Sequence, residues 1–203
     1  MSRPFAPDEE AYLARKVKAE LRKRMRGVRN TAPAAACLQR SRAIAEHLAA
    51  LPAVAEARSV ALFYPIEDRH EVDLRELDAD LRARGVRVAY PAIDPETRVM
   101  TFRWVDDLAH LEERGLGFAE PPPAAEEAAA VDVVVVPALA VDLRGHRIGY
   151  GAGFYDRTLP RYAPPAFTVV VAYEYQLLSE VPVTDGDVAA AWIVTDGRSL
   201  AAG

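Results

Sequence analysis

From Leu13 to Val28, apolar residues recur three or four positions apart, at Leu13, Val17, Leu21, Met25 and Val28, which predicts an amphipathic helix with a basic face opposite. Lys18 and Arg22, one turn apart, share a face beside that stripe. Residues 33–50 predict a second helix, with Pro33 in its first turn and Leu38, Ala45 and Leu48 on the buried side. Ser59 to Tyr64 then reads as a strand stopped by Pro65. Asp73 and Glu76 flank Leu74 as a capping-box-like start, and Leu74, Leu77 and Leu81 repeat on one face until Gly85 ends that helix. Val86 to Tyr90 is a strand closed by Pro91, and Asp94 to Thr97 is turn chemistry leading to the alternating segment Met100 to Trp104.

Further on, Val133 to Val136 is a continuous run of β-branched residues, the pattern of a central strand covered on both faces. Phe167 to Ala172 is another buried strand, and Trp192 to Asp196 closes the sheet as its last. Strands alternating with helices five or six times predict an α/β fold. A single three-layer domain over residues 1–203, with a mostly parallel sheet and helices on both faces, accommodates them all. Residues 1–14 read as a flexible N-terminal extension of that domain.

Composition narrows the function classes. The chain is 51% hydrophobic and 27% charged, inside the globular range, and its longest apolar run is too short to span a bilayer, so no membrane partner is expected. No signal-peptide pattern precedes the first periodic segment, which points to a cytoplasmic protein, expected to act as a monomer. The single cysteine, Cys37, excludes an internal disulfide framework and reads as a packed residue of an alanine-rich helix. Net charge is −5, yet residues 1–30 hold nine Lys/Arg against four Asp/Glu, so the local charge is +5 and the rest carries −10. A basic helix on an acidic chain without interleaved aromatic residues argues against nucleic acid as the partner.

The densest chemistry lies between Val131 and Tyr162. Gly149, Gly151 and Gly153 alternate with Tyr150 and Ala152, so consecutive N–H groups can approach a ligand with no Cβ in the way. Phe154, Tyr155, Asp156 and Arg157 look like the entry of a helix whose first amides favour an anion. Arg144 and Arg147 add two guanidinium groups, so donor amides, cations and a carboxylate form the parts list of a nucleotide-phosphate site with a metal ion. It is neither a Walker A loop nor a dinucleotide fingerprint. Three glycines also suffice for a plain strand-to-helix connection.

Arg147, Gly149, Tyr150, Gly151, Gly153, Phe154, Tyr155, Asp156 and Arg157 resemble the signature loop of the 5-formyltetrahydrofolate cyclo-ligases, also called 5,10-methenyltetrahydrofolate synthetases, with Phe154 replacing a tyrosine. Weaker motifs follow in the family's order from about Lys18 to Asp196. The resemblance implies ATP- and Mg²⁺-dependent closure of 5-formyltetrahydrofolate, a small-molecule substrate, to 5,10-methenyltetrahydrofolate with release of ADP and phosphate. It implies that the Lys-x-x-Leu-Arg motif (Lys18, Leu21, Arg22) and the loop Arg147, Ile148, Gly149, Tyr150, Gly151, Ala152, Gly153, Phe154 and Tyr155 bind ATP. Arg147 and Tyr155 would be catalytic, Glu71, Gly151 and Phe154 would contact the folate, and Asp156 and Asp187 would hold the metal.

Glu67 is a rival to Glu71 for the folate contact, and Asp187 could instead cap a loop. Leu116 stands where the family has an aromatic residue and Phe118 where it has Ile, which weakens the case for this segment stacking on the folate. Two other classes fit parts of the pattern: a non-catalytic phosphate-binding regulatory module, and an RNA-binding protein with a basic arm.

Overall fold

The computed structural model describes residues 7–115 and 117–203. Seven strands form the main sheet: β1 (Ser59–Ala61), β2 (Arg87–Ile93), β3 (Met100–Trp104), β4 (Val133–Pro137), β5 (Phe167–Val171), β6 (Trp192–Val194) and β7 (Ser199–Ala201), in the order β7-β6-β5-β4-β1-β2-β3. The five central strands pair in parallel, and antiparallel β7 and β3 finish the two edges. Helices α2 (Ala34–Ala49), α3 (Pro52–Ala55) and α4 (Arg75–Ala83) cover one face, and α5 (Phe154–Tyr162) covers the other. The expected single, mostly parallel α/β layer stack is therefore what forms.

The valine run explains the sheet's centre. Val133 and Val135 point into the core under α2 to α4, Val134 and Val136 into the core under α5, and all four have no exposed surface. At about 1.5–3 kcal/mol for each fully buried valine, this one strand anchors both layers. Pro91, expected to close its strand, lies inside β2, opposite Phe102. Phe102 sends its N–H to the Tyr162 hydroxyl and its carbonyl to Ala128, both away from β2. Pro91 therefore occupies a non-hydrogen-bonded pair, where its missing N–H costs no bond to β3.

Several expected details shift. The sheet does not end at Trp192 to Asp196, because β7 returns beside β6. Leu38 is exposed, whereas Ala45 and Leu48 are buried as expected, and Cys37, Ser41 and Ile44 complete the buried face of α2. Asp73 and Glu76 form no capping box: Asp73 accepts the Arg75 N–H two residues on, and Glu76 pairs with Arg42. Helix α1 (Pro7–Asn30) already includes residues 7–14 of the expected flexible extension, while residues 1–6 lie outside the described residues.

The largest correction concerns the face of α1. Lys18, Met25 and Arg29 are buried, with Leu21 and Arg22 half-buried, whereas Leu13, Val17 and Val28 are exposed. The helix is turned so that Lys18, Arg22 and Arg29 face the protein beside Leu21 and Met25. Burying cations is unfavourable without partners, so the surface beneath α1 must supply them.

Candidate functional site

A cleft of about 650 Å³ opens at the carboxyl ends of β1, β2 and β4, with α1 along one side. This is where ligands bind in open α/β sheets. The chain leaving β1 contributes Phe63 and Tyr64, β2 contributes Pro91 and Ile93, and the exit of β4 contributes Pro137, Ala138 and Leu139.

Between β4 and α5 the chain first makes a small hairpin, Ala140–Asp142 against Arg147–Ile148, with Leu177–Leu178 alongside. Buried Asp142 pins it, accepting the N–H groups of Arg144, His146 and Val181 at 3.0 Å each. Gly149 to Asp156 then line the cleft as one continuous segment. Gly151 has φ of +102°, which requires glycine, and a Cβ there would sit 3.3 Å from the Arg22 guanidinium and press on it. Gly153, left-handed at φ of +67°, starts α5 and leaves the helix's first amides beside the loop.

Cations and carboxylates meet at one end. Lys18 donates to Asp187 and, at 3.0 Å, to the Thr184 hydroxyl. Arg22 Nε donates to the Gly149 carbonyl at 3.0 Å. Arg147 donates to Asp156 Oδ1 at 2.6 Å and to the Val188 carbonyl, and the Val188 N–H reaches Asp156 at 3.3 Å, which ties the two aspartate segments together. Burial pulls the Arg147 guanidinium below its ordinary value despite the charge of Asp156. Burial alone would raise the Asp187 carboxyl, but Lys18 and Thr184 as donors hold it below the usual carboxylate range. Lys18 and Arg147 are nearly buried, whereas their carboxylate partners keep 23% and 30% of their surface. Asp156 Oδ2 and Asp187 Oδ1 accept no hydrogen bond among the described residues. No group of three or more His, Cys, Asp or Glu that could hold a metal occurs among them either. Two carboxylates with free oxygens suit a magnesium ion, which keeps waters and phosphate oxygens as its other ligands.

The other end is apolar, walled by Phe63, Ile93, Met100, Phe118 and Phe154. Arg98 and Arg157 lie over the Phe154 ring at 5.4 and 5.5 Å. The Tyr155 hydroxyl is buried with no hydrogen-bond partner among the described residues, and burial, then the Glu71 charge, pushes it up so that it stays protonated. Glu71, itself buried, accepts the Ile66 N–H at 2.9 Å and the Tyr150 hydroxyl at 2.7 Å. Burial, then that same charge, pushes Tyr150 up to about 12.

Of the residues singled out from sequence, Lys18, Arg22, Glu71, Arg147, Gly149 to Asp156 and Asp187 line this cleft. Ile148 does not: its side chain is buried in a core cluster with Met25, Leu139 and Val181. Arg144 does not either, because it pairs with Asp142 and Glu180. Lys18 and Arg22, expected on a face beside the apolar stripe, point inward. The side chain of Glu67, the rival for the folate contact, and residue Leu116 lie outside the described residues. Sequence reasoning missed Arg29, Thr184 and, apart from Phe154, the apolar wall. Only Arg29 had a signal, its seven-residue spacing from Arg22, which puts both on one helix face.

The profile of the 5-formyltetrahydrofolate cyclo-ligase family matches residues 14–196. A 5-formyltetrahydrofolate cyclo-ligase from Mycolicibacterium smegmatis is 46% identical over 89 residues, which cover 42% of this chain and 46% of that protein. The Escherichia coli (strain K12) protein of the same name is 30% identical over 152 residues, covering 72% of this chain and 82% of that one. Among solved structures, 5,10-methenyltetrahydrofolate synthetase from Aquifex aeolicus matches with a TM-score of 0.79 and 29% identity, over 91% of this chain and 92% of that chain.

Proposed function

Because the chain belongs to the 5-formyltetrahydrofolate cyclo-ligase family, we propose that its cleft converts 5-formyltetrahydrofolate and Mg-ATP to 5,10-methenyltetrahydrofolate, ADP and phosphate. The observation that carries this reading is the pairing, in one cleft, of a cationic glycine loop with an apolar pocket that ends on a buried carboxylate. Six Lys and Arg line it against three carboxylates, Glu71, Asp156 and Asp187, so it is locally positive in a chain of net charge −5. Such a cleft favours an anionic ligand.

A formamide oxygen leaves poorly. Transfer of a phosphoryl group to it makes it a phosphate, and attack by the second folate nitrogen on the formyl carbon then expels that phosphate and closes the ring. The protein's part is positioning and charge compensation. The amides of Gly149 to Gly153 and the first turn of α5 would cradle the phosphates, with Lys18, Arg22 and Arg147 neutralising them. Asp156 and Asp187 would hold magnesium, which when bound screens the phosphate charge. Phe63, Ile93, Met100 and Phe154 would take the flat pterin and exclude water, and Glu71 would accept from its N–H groups. Tyr155 and Arg147, at the junction of the two ends, would face the transferring group, and the unpaired Tyr155 hydroxyl is available to donate to it. The small-molecule reaction needs no partner chain, and the protein is taken to work as a cytoplasmic monomer, which sedimentation at working concentration tests.

The deciding assay mixes protein, Mg-ATP and 5-formyltetrahydrofolate and follows the methenyl chromophore. Its appearance with stoichiometric ADP supports the enzyme. Nucleotide binding without chromophore would replace it with the regulatory module.

A further inference from the structure

Arg29 lies at the end of α1, 3% exposed, and does not line the cleft. It nonetheless joins the cleft's two ends. Its Nη2 donates to the hydroxyl of Tyr150, a member of the glycine loop, and stands 3.6 Å from Glu71 Oε1. That same hydroxyl donates to Glu71 Oε1 at 2.7 Å, and the other carboxylate oxygen is held by the Ile66 N–H at 2.9 Å. The guanidinium also lies over the Tyr150 ring, 5.6 Å from its centre. The hydrogen bond, ion pair and ring contact of this side chain therefore go to two residues, one from each side of the cleft.

The bond directions matter. A phenol has one proton, and with Arg29 donating to its oxygen, that proton is directed to Glu71. Glu71 then stays an acceptor with its orientation fixed from two sides, as a recognition carboxylate must be to discriminate N–H donors on a ligand. Helix α1 carries Lys18, Arg22 and Arg29 on one inward face, so the helix that supplies phosphate contacts also sets the carboxylate. A countercharge alone would need no alignment through Tyr150. Arg29 Nε is left without a partner among the described residues, a cost to stability that a residue kept only for stability would not carry.

We propose that Arg29 is a positioning residue for substrate recognition, acting through the Tyr150 hydroxyl to hold Glu71 in the geometry that binds the folate. This rests on the function proposed above. Arg29 should then govern the folate KM while sparing the ATP KM, and its effect should vanish once Glu71 can no longer act.

The test compares wild type, Arg29→Lys, Arg29→Met, Glu71→Gln and the Arg29→Met/Glu71→Gln double variant. Folate KM, ATP KM, kcat and ligand-free melting temperature are measured for each. Arg29→Met should raise the folate KM tenfold or more and change the ATP KM less than threefold. Arg29→Lys, which restores a donor to Tyr150, should fall between it and wild type. The double variant should resemble Glu71→Gln within about twofold, because residues acting through one another are non-additive. Equal losses for both substrates, independent multiplication in the double variant, or a lowered melting temperature with unchanged folate KM would each overturn the proposal. If Arg29→Met does not fold, Arg29→Lys and Tyr150→Phe carry the same comparison. Wild-type turnover is measured first: its absence sinks the functional reading and this proposal together, whereas normal turnover with additive variants sinks this proposal alone.

Discussion

The two ends of the cleft solve the problem of buried charge in opposite ways. At the loop end, Lys18 and Arg147 are nearly buried, but their partners Asp187 and Asp156 remain partly exposed, each with one oxygen free. Those pairs can be rearranged when a more highly charged ligand arrives. At the apolar end, Glu71, Tyr150 and Arg29 form a closed set with almost no exposure of the two charged side chains. On the function proposed above, the contrast puts exchangeable charge where phosphates would enter and leave, and fixed charge where a neutral ring system would be recognised.

The strongest challenge to the loop end is Asp156→Asn. Removing this charge should collapse turnover by about a hundredfold or more and raise the Mg²⁺ requirement, read from a magnesium titration of the initial rate. Because Asp156 also neutralises buried Arg147, the ligand-free protein should lose about 1.5–3 kcal/mol of stability as well. Normal turnover and Mg²⁺ dependence in the folded variant would remove Asp156 from the metal site.

Lys18→Gln and Arg22→Gln should each raise the apparent ATP requirement by roughly ten- to a hundredfold, from the loss of one charge-assisted contact worth about 1.5–3 kcal/mol. Steady-state rates at limiting ATP check this, and unchanged rates would reduce α1 to a structural helix.

Tyr155→Phe separates function from packing where the ends meet. Deleting a buried hydroxyl without a partner should leave stability level or raise it by up to about 1 kcal/mol. If that hydroxyl serves a ligand, turnover should fall about tenfold or more while the melting temperature holds. A variant with wild-type turnover would end the catalytic assignment of Tyr155.

A smaller effect concerns acid stability. The folded Asp187 carboxyl titrates below its unfolded value of about 3.9. Its contribution is therefore complete above that pH and lost as pH falls through the folded value. Asp187→Asn should be less stable than wild type near neutrality, with the gap closing in acid. The opposite sign belongs to Glu120, buried against β2, where burial raises the carboxyl despite the Ile93 N–H it accepts at 2.7 Å. Its penalty is fully present above the raised value and gone below about pH 4.3, so Glu120→Gln should match or exceed wild type near neutrality and converge with it in acid. Denaturant melts across pH check both signs.

The glycine loop was legible in the sequence because its requirement is local: backbone without Cβ, followed by a helix start. The central strand was legible too, since Val133 to Val136 can be buried on both faces in few other ways. Helix α1 misled, since the apolar stripe from Leu13 to Val28 satisfies a helical period but does not say which face finds partners. Lys18, Arg22 and Arg29 turn inward because Asp187, the Gly149 carbonyl and Tyr150 wait there, more than 120 residues away along the chain.

By itself, the sequence determined the α/β layering and the glycine loop, which follow from short-range periodicity and from the chemistry of single residues, while Lys18, Arg22, Glu71 and Asp187 were legible as site residues only through the family resemblance. Only the tertiary structure decided the facing of α1, the exclusion of Ile148 and Arg144 from the site, and the Arg29–Tyr150–Glu71 chain. Those depend on the free energy of burying charge, which is set by partners that folding brings from distant segments and that no local pattern records.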